Sequence, residues 1–159
     1  MTLQQKALET AITQIGVVEA PGHTNRGKDV EKYLASVGLG PGLPWCMAFV
    51  YWCYNQASIE SGVASFLIRT GGVMHQWNEQ QPTKKINVSA AIKNPAIIKP
   101  GAVFIMDFGK GTGHTGLVEK IVGDLVHTIE GNTNDEGSRE GYEGCRRTRK
   151  LSAIKGFIQ

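Results

Sequence analysis

Leu3, Ala7, Leu8, Ala11, Ile12 and Ile15 recur at three- and four-residue intervals before Gly16, the spacing of one apolar face of an α-helix. Thr2 with Gln5 three residues on is a capping-box pattern at its start. Residues 20–28 read as a loop. Asp29 is expected to cap a second helix, with Val30, Tyr33, Leu34 and Val37 on one face and Gly38 as its stop. A Gly/Pro-rich turn over 38–44 leads into a third helix expected from Trp45 to about Ala57. From Met47 to Tyr54 this segment is apolar or aromatic on every side, which marks a helix buried on most of its surface. A further helical turn is expected over 72–78. Beyond Pro82 the pattern changes to β-type runs at 102–108, 115–122 and 125–130, the last two joined by Gly123-Asp124 as a two-residue hairpin turn. Residues 146–149 and 153–158 supply two more strands. Helices first and strands afterwards predict an α+β fold, N-terminal helices packed on a C-terminal antiparallel β-sheet.

The chain of 159 residues, 41% apolar, is expected to form one domain over 1–159. No apolar run approaches the roughly 20 residues of a membrane-spanning helix, so no membrane partner is expected. Glu9 falls where a signal peptide would carry its apolar stretch, so the expectation is synthesis in the cytoplasm without a secretory address. Seventeen Lys and Arg against 14 Asp and Glu give +3, too mild to indicate nucleic acid. The basic cluster Arg146, Arg147, Arg149 and Lys150 has no interleaved aromatics and reads as a solvated strand face. Asn132, Asn134, Glu136 and Glu143 approach a calcium-loop spacing, but the first position lacks its usual Asp and no helices flank it. No cofactor or metal is expected.

The cysteines narrow the chemistry. Cys46, Cys53 and Cys145 are an odd set for a disulfide framework. On one helix Cys46 and Cys53 lie about 10.5 Å apart, beyond the roughly 7 Å that a disulfide spans. Cys46 falls in the first turn of the buried helix, where unpaired N–H groups and the helix dipole favour a thiolate. A nucleophilic thiolate needs a base and the base needs an orienting group. His114 stands where the glycine-rich turn 109–113 enters a strand. Pairing across Gly123-Asp124 brings it opposite the end of the next strand, where Glu130 and Asn132 share a side by alternation. Trp45, beside the thiol, and Asn25, as a side-chain oxyanion donor, are the candidate substrate-binding residues. His23 is a further candidate for the cleft, whereas Cys53 and Cys145 read as structural.

The segment Gly42-Leu43-Pro44-Trp45-Cys46-Met47-Ala48-Phe49-Val50 resembles the nucleophile helix of CHAP domains, the cysteine- and histidine-dependent amidohydrolases/peptidases. Lys99-Pro100-Gly101-Ala102-Val103-Phe104 resembles their first strand, Gly113-His114-Thr115-Gly116-Leu117-Val118 their histidine strand, and Ile129-Glu130-Gly131-Asn132-Thr133 the strand end carrying the remaining polar residues. The loop 20–27 is similar to a segment of one bacterial branch of the family. The resemblance covers roughly 12–133 and implies a papain-like α+β fold and cleavage of amide bonds in bacterial peptidoglycan. By position it implies that Cys46 is the nucleophile, His114 the general base, Glu130 the imidazole-orienting residue and Asn132 a further polar member. Two positions depart from the pattern: Ala102 stands where an acid often follows Pro-Gly, and Met47 where a smaller residue is usual.

Peptidoglycan is therefore the expected partner, approached by a monomer after cell lysis, as for a phage lysin, or by specialised export, as for an antibacterial toxin. In the second case a cognate inhibitor or immunity protein is expected. Two readings compete: a non-catalytic module binding wall or protein, and a cysteine amidase acting on a small soluble amide.

Overall fold

The computed structural model describes residues 1–133 and 141–159. Helix α1 (Leu3–Thr13) begins with the anticipated capping box, in which the Thr2 hydroxyl accepts from Gln5 N–H and the Gln5 side chain returns to Thr2 N–H. Helix α2 (Lys28–Ser36) starts one residue before Asp29, which lies in the first turn instead of capping it. Gly27, with a positive φ, leads the chain in. Helix α3 (Cys46–Ser61) runs four residues further than the pattern indicated and ends on Gly62 in the left-handed conformation. Its buried residues Cys46 to Val50, Cys53, Tyr54 and Ala57 surround the helix, as the continuous apolar run requires.

Helix α4 (Val73–Glu79) follows. The chain then forms β1 (Lys85–Asn87) and the short α5 (Val88–Lys93), neither of which has enough periodicity to announce itself. Strands β2 (Val103–Gly109), β3 (Thr112–Val122), β4 (Leu125–Thr133), β5 (Glu143–Lys150) and β6 (Gly156–Ile158) complete the fold. The six strands form one antiparallel sheet in the order β1-β6-β2-β3-β4-β5.

Alternation along the strands divides the sheet between two cores. Val103, Ile105, Leu117, Ile129 and Ile158 pack beneath α1 to α4, with the aromatic cluster of Tyr33, Trp45 and Phe49 among them. Phe104, Val118, Val126 and Phe157 point the other way, into a smaller core closed by Ala91 of α5 and by Ile98, Leu151 and Ile154. Gly101, at the start of β2, sits so close to α1 that a Cβ would lie 2.1 Å from the Gln4 carbonyl oxygen, and Tyr54 donates to its carbonyl at 2.7 Å. This packing fastens the helical layer to the sheet. No helix among the described residues is long and apolar enough to cross a membrane.

The pairing of β3 with β4 fixes the position of the site. From the hairpin turn, Val122, Ile121 and Lys120 pair with Leu125, Val126 and His127. The register then shifts by one residue around Glu119, so that Val118 pairs with Thr128 and Leu117 with Ile129. Continued, this register sets Glu130 across from Gly116 and on the face of His114. An unbroken ladder would have set it across from Leu117, on the opposite face.

Candidate active site

Cys46 is the first residue of α3, 4% exposed, and its backbone N–H lies in the turn that has no intrahelical acceptor. Because the helix is buried on most sides, its N-terminus is held firmly against the sheet. A cleft of about 230 Å³ opens beside the sulfur. Its walls come from the loop before α3 (Leu43, Pro44), the start of α4 (Gly72, Val73) and the β2–β3 turn (Thr112, Gly113). All of these residues are uncharged.

His114 on β3 is 1% exposed, and its Nε2 lies 2.7 Å from Glu130 Oε1. With Nε2 engaged, Nδ1 is the nitrogen left for the Cys46 thiol, which interacts with the ring. Nδ1 makes no hydrogen bond among the described residues. Burial alone would lower the imidazole pKa, but the Cys46 thiol and the Glu130 carboxylate outweigh it and raise it from 6.5 to about 9. Gly116 makes room for the His–Glu contact, since a Cβ there would lie 2.7 Å from Glu130 Cγ and 2.8 Å from Phe104 Cε1.

Glu130 is fully buried, and an isolated carboxylate so placed would take up a proton. Its surroundings prevent this. Arg149 donates Nε–H to Oε2 at 2.9 Å and Nη2–H to Oε1, and the Thr128 hydroxyl donates to Oε2 at 2.6 Å. Burial pushes the Glu130 pKa up, but the arginine and the imidazole hold it down, from 4.5 to about 2. Arg149 was the residue least visible in the sequence. It pairs with Val126, four residues from Glu130 on β4, and reaches along the sheet instead of joining the solvated face assigned to its cluster. Arg146, by contrast, is exposed and paired with Glu119.

Asn132 makes no hydrogen bond to the imidazole among the described residues. The ladder shifts again between Glu130 and Thr133, and Asn132 takes a φ of +58°. Its Oδ1 accepts from Trp45 N–H at 2.8 Å and its Nδ2 donates to Gly141 O at 2.6 Å, with a longer 3.4 Å contact to Asn25 Oδ1. The residue therefore holds the N-terminal end of α3. Trp45, expected to wall the cleft, is wholly buried. Its indole N–H donates to Glu19 Oε1 at 2.8 Å, and its ring packs near Tyr33 and Phe49. Asn25 also lies outside the cleft lining, in a loop where its backbone N–H donates to Glu19 Oε2 at 2.9 Å. His23 stacks near Tyr142, with ring centroids 4.3 Å apart, and does not line the cleft. Glu19, buried and bonded to both Trp45 and Asn25, carried no sequence signal, because it precedes a loop without periodicity.

No disulfide joins the three cysteines among the described residues, and burial pushes the Cys53 thiol well up. No group of three or more His, Cys, Asp or Glu among the described residues could hold a metal ion. Asn134 and Glu136 of the calcium-like spacing lie outside the described residues.

Comparison with known proteins gives the same architecture. The chain matches the solved structure of Ly7917 with a TM-score of 0.54 at 17% identity, covering 99% of this chain and 62% of that one. It matches the wild type endolysin LysIME-EF1 with a TM-score of 0.54 at 14% identity, covering 100% of this chain and 64% of that one. It thus spans less than two thirds of either neighbour, and at these identities the likeness is one of fold. No curated protein matches the chain. The CHAP domain model matches residues 38–132, from the turn before α3 to the end of β4, and the chain belongs to the CHAP domain family.

Proposed function

We propose that this chain is a cysteine hydrolase that cleaves an amide bond of bacterial peptidoglycan through Cys46, His114 and Glu130. One arrangement carries the reading: a thiol at the start of a buried helix against an imidazole whose far nitrogen is bonded to a buried carboxylate. Family membership supports a hydrolytic role, and the likeness to an endolysin supports the wall as substrate.

In the first half-reaction the Cys46 thiolate attacks the amide carbonyl carbon and forms the S–C bond. His114, protonated at Nδ1, gives that proton to the departing nitrogen as the C–N bond breaks. The Cys46 backbone N–H is placed to donate to the developing oxyanion. In the second half-reaction His114 takes a proton from water, whose oxygen attacks the thioester carbonyl; the C–S bond breaks, releasing the acid and restoring the Cys46 thiolate beside the protonated ring. Glu130 keeps the ring in the tautomer and orientation that both steps need. Asn132 serves the site by fixing the backbone that carries Cys46.

The test is incubation of the purified chain with isolated sacculi, followed by mass spectrometry of the soluble muropeptides. New amine and carboxyl termini are expected. Cys46→Ala should lower the rate by roughly a thousandfold or more, while Cys53→Ala should not remove it. Unchanged muropeptides from several wall chemistries, or full activity in Cys46→Ala, would overturn the reading.

A further inference from the structure

Glu130 and His114 form a buried pair that shares one proton between Oε1 and Nε2, and nothing in that contact alone decides which of them keeps it. In a dry site the neutral arrangement, carboxylic acid beside neutral imidazole, competes well with the ion pair, because each separated charge loses its hydration. A second charge bonded to the carboxylate breaks the tie, and the structure supplies one. Arg149, with a side chain 13% exposed, reaches both oxygens of Glu130, the fork geometry that a guanidinium offers a carboxylate. We propose that Arg149 is a positioning residue of the site: it holds Glu130 as a carboxylate in a fixed orientation and so leaves the shared proton on the His114 ring. This rests on the hydrolytic reading of Cys46, His114 and Glu130.

Charge balance argues the same way. The ionised groups packed around Glu130 are His114 from β3 and Arg149 from β5, with Cys46 of α3 beyond the ring and Cys145 of β5 acting on Arg149. When Cys46 and His114 stand as thiolate and imidazolium, the line Arg149, Glu130, His114, Cys46 alternates in sign and sums to zero. Without the arginine the same catalytic state leaves one uncompensated negative charge in the interior. The cheapest relief is a proton on Glu130, which deprives the imidazolium of its anion. The Thr128 hydroxyl donates to Oε2, but it carries no charge and cannot replace the guanidinium.

The experiment compares the unmodified chain with Arg149→Gln and Arg149→Lys. The protonated carboxyl stretch of Glu130, identified by its loss in Glu130→Gln, is followed by infrared difference spectroscopy, and the rate on sacculi is followed against pH. At neutral pH the band should be absent in the unmodified chain, present in Arg149→Gln and absent again in Arg149→Lys. The acid limb of the rate profile should move up by about one pH unit or more in Arg149→Gln, about tenfold in rate where the limb is steep. It should return most of the way in Arg149→Lys.

A folded Arg149→Gln with no carboxyl band and an unmoved limb overturns the proposal. So does a uniform loss of rate at every pH without the band, which is the mark of a merely structural residue. Should Arg149→Gln not fold, the unmodified chain decides: Glu130 that is already protonated near pH 5 overturns the proposal, and Glu130 that stays ionised there supports it together with Arg149→Lys. The infrared readout needs no substrate. A chain that leaves peptidoglycan intact yet shows the expected bands would therefore fail the proposed function without failing this inference.

Discussion

His114 carries a pKa raised from 6.5 to about 9, with consequences for rate and for stability. The alkaline limb of the rate profile is expected near pH 9, where the imidazolium loses its proton, and a profile on sacculi checks it. For stability, the raised pKa means that the contribution of His114 is whole below about pH 6.5 and is lost as pH rises through about 9. The stability gap between the unmodified chain and His114→Gln in denaturant titrations should therefore be wider at pH 6 than at pH 10. Glu130 runs the opposite way: its contribution is present above about pH 4.5 and lost as pH falls through about 2. Gly116→Ala should force Glu130 and Phe104 aside, destabilising the chain by about 1–3 kcal/mol and lowering the rate through the His–Glu contact, checked by thermal unfolding and by turnover. Cys46, His114 and Glu130 were legible because each follows a local rule: a helix start, a glycine turn, a strand end. Arg149 was not, because its partner is set by the reach of a long side chain across β5 and β4, which no local spacing encodes.

Among the elements, α3 and the β3–β4 hairpin carry the candidate site, and beside their shared core Asn132 joins them by a hydrogen bond from Trp45 N–H. The Asn132→Ala variant leaves Trp45 N–H without its acceptor in a buried position. The expected cost is about 1–3 kcal/mol in denaturant titrations, with a lower turnover because the backbone carrying Cys46 is no longer held. The helices α1 to α4 and the hairpin turn were readable from periodicity and punctuation. The expected shared side of Glu130 and Asn132 assumed a continuous strand, whereas the ladder shifts between Glu130 and Thr133 and Asn132 accepts from Trp45 N–H. The pairing of His114 with Glu130 was reached from the same assumption. Its success depended on a compensating irregularity at Glu119 that has no Gly or Pro to mark it.

Across the whole molecule, the sheet separates a large helical core from a small second one, and β6 contributes to both. Phe157 and Ile158 are fully buried on opposite faces, and β6 lies between β1 and β2. Loss of either large side chain alone costs roughly 2–5 kcal/mol, against a total stability of about 5–15 kcal/mol for a domain. Removal of 156–159 is expected to abolish cooperative unfolding, a result that circular dichroism melts would show directly. The two-core arrangement was only half legible: the helices announced the first core, while β1 and α5 are too short to announce the second.

The extra residue at Glu119 gives the hairpin a parity. Between His114 and Glu130 the chain can be lengthened or shortened without exchanging inside for outside only in whole pairs of residues. A single insertion or deletion there leaves Cys46, His114 and Glu130 all present in the sequence and turns the acid away from the ring. Among relatives that keep the same chemistry, hairpins of different length should therefore differ by even numbers, or carry a second irregularity that restores the count.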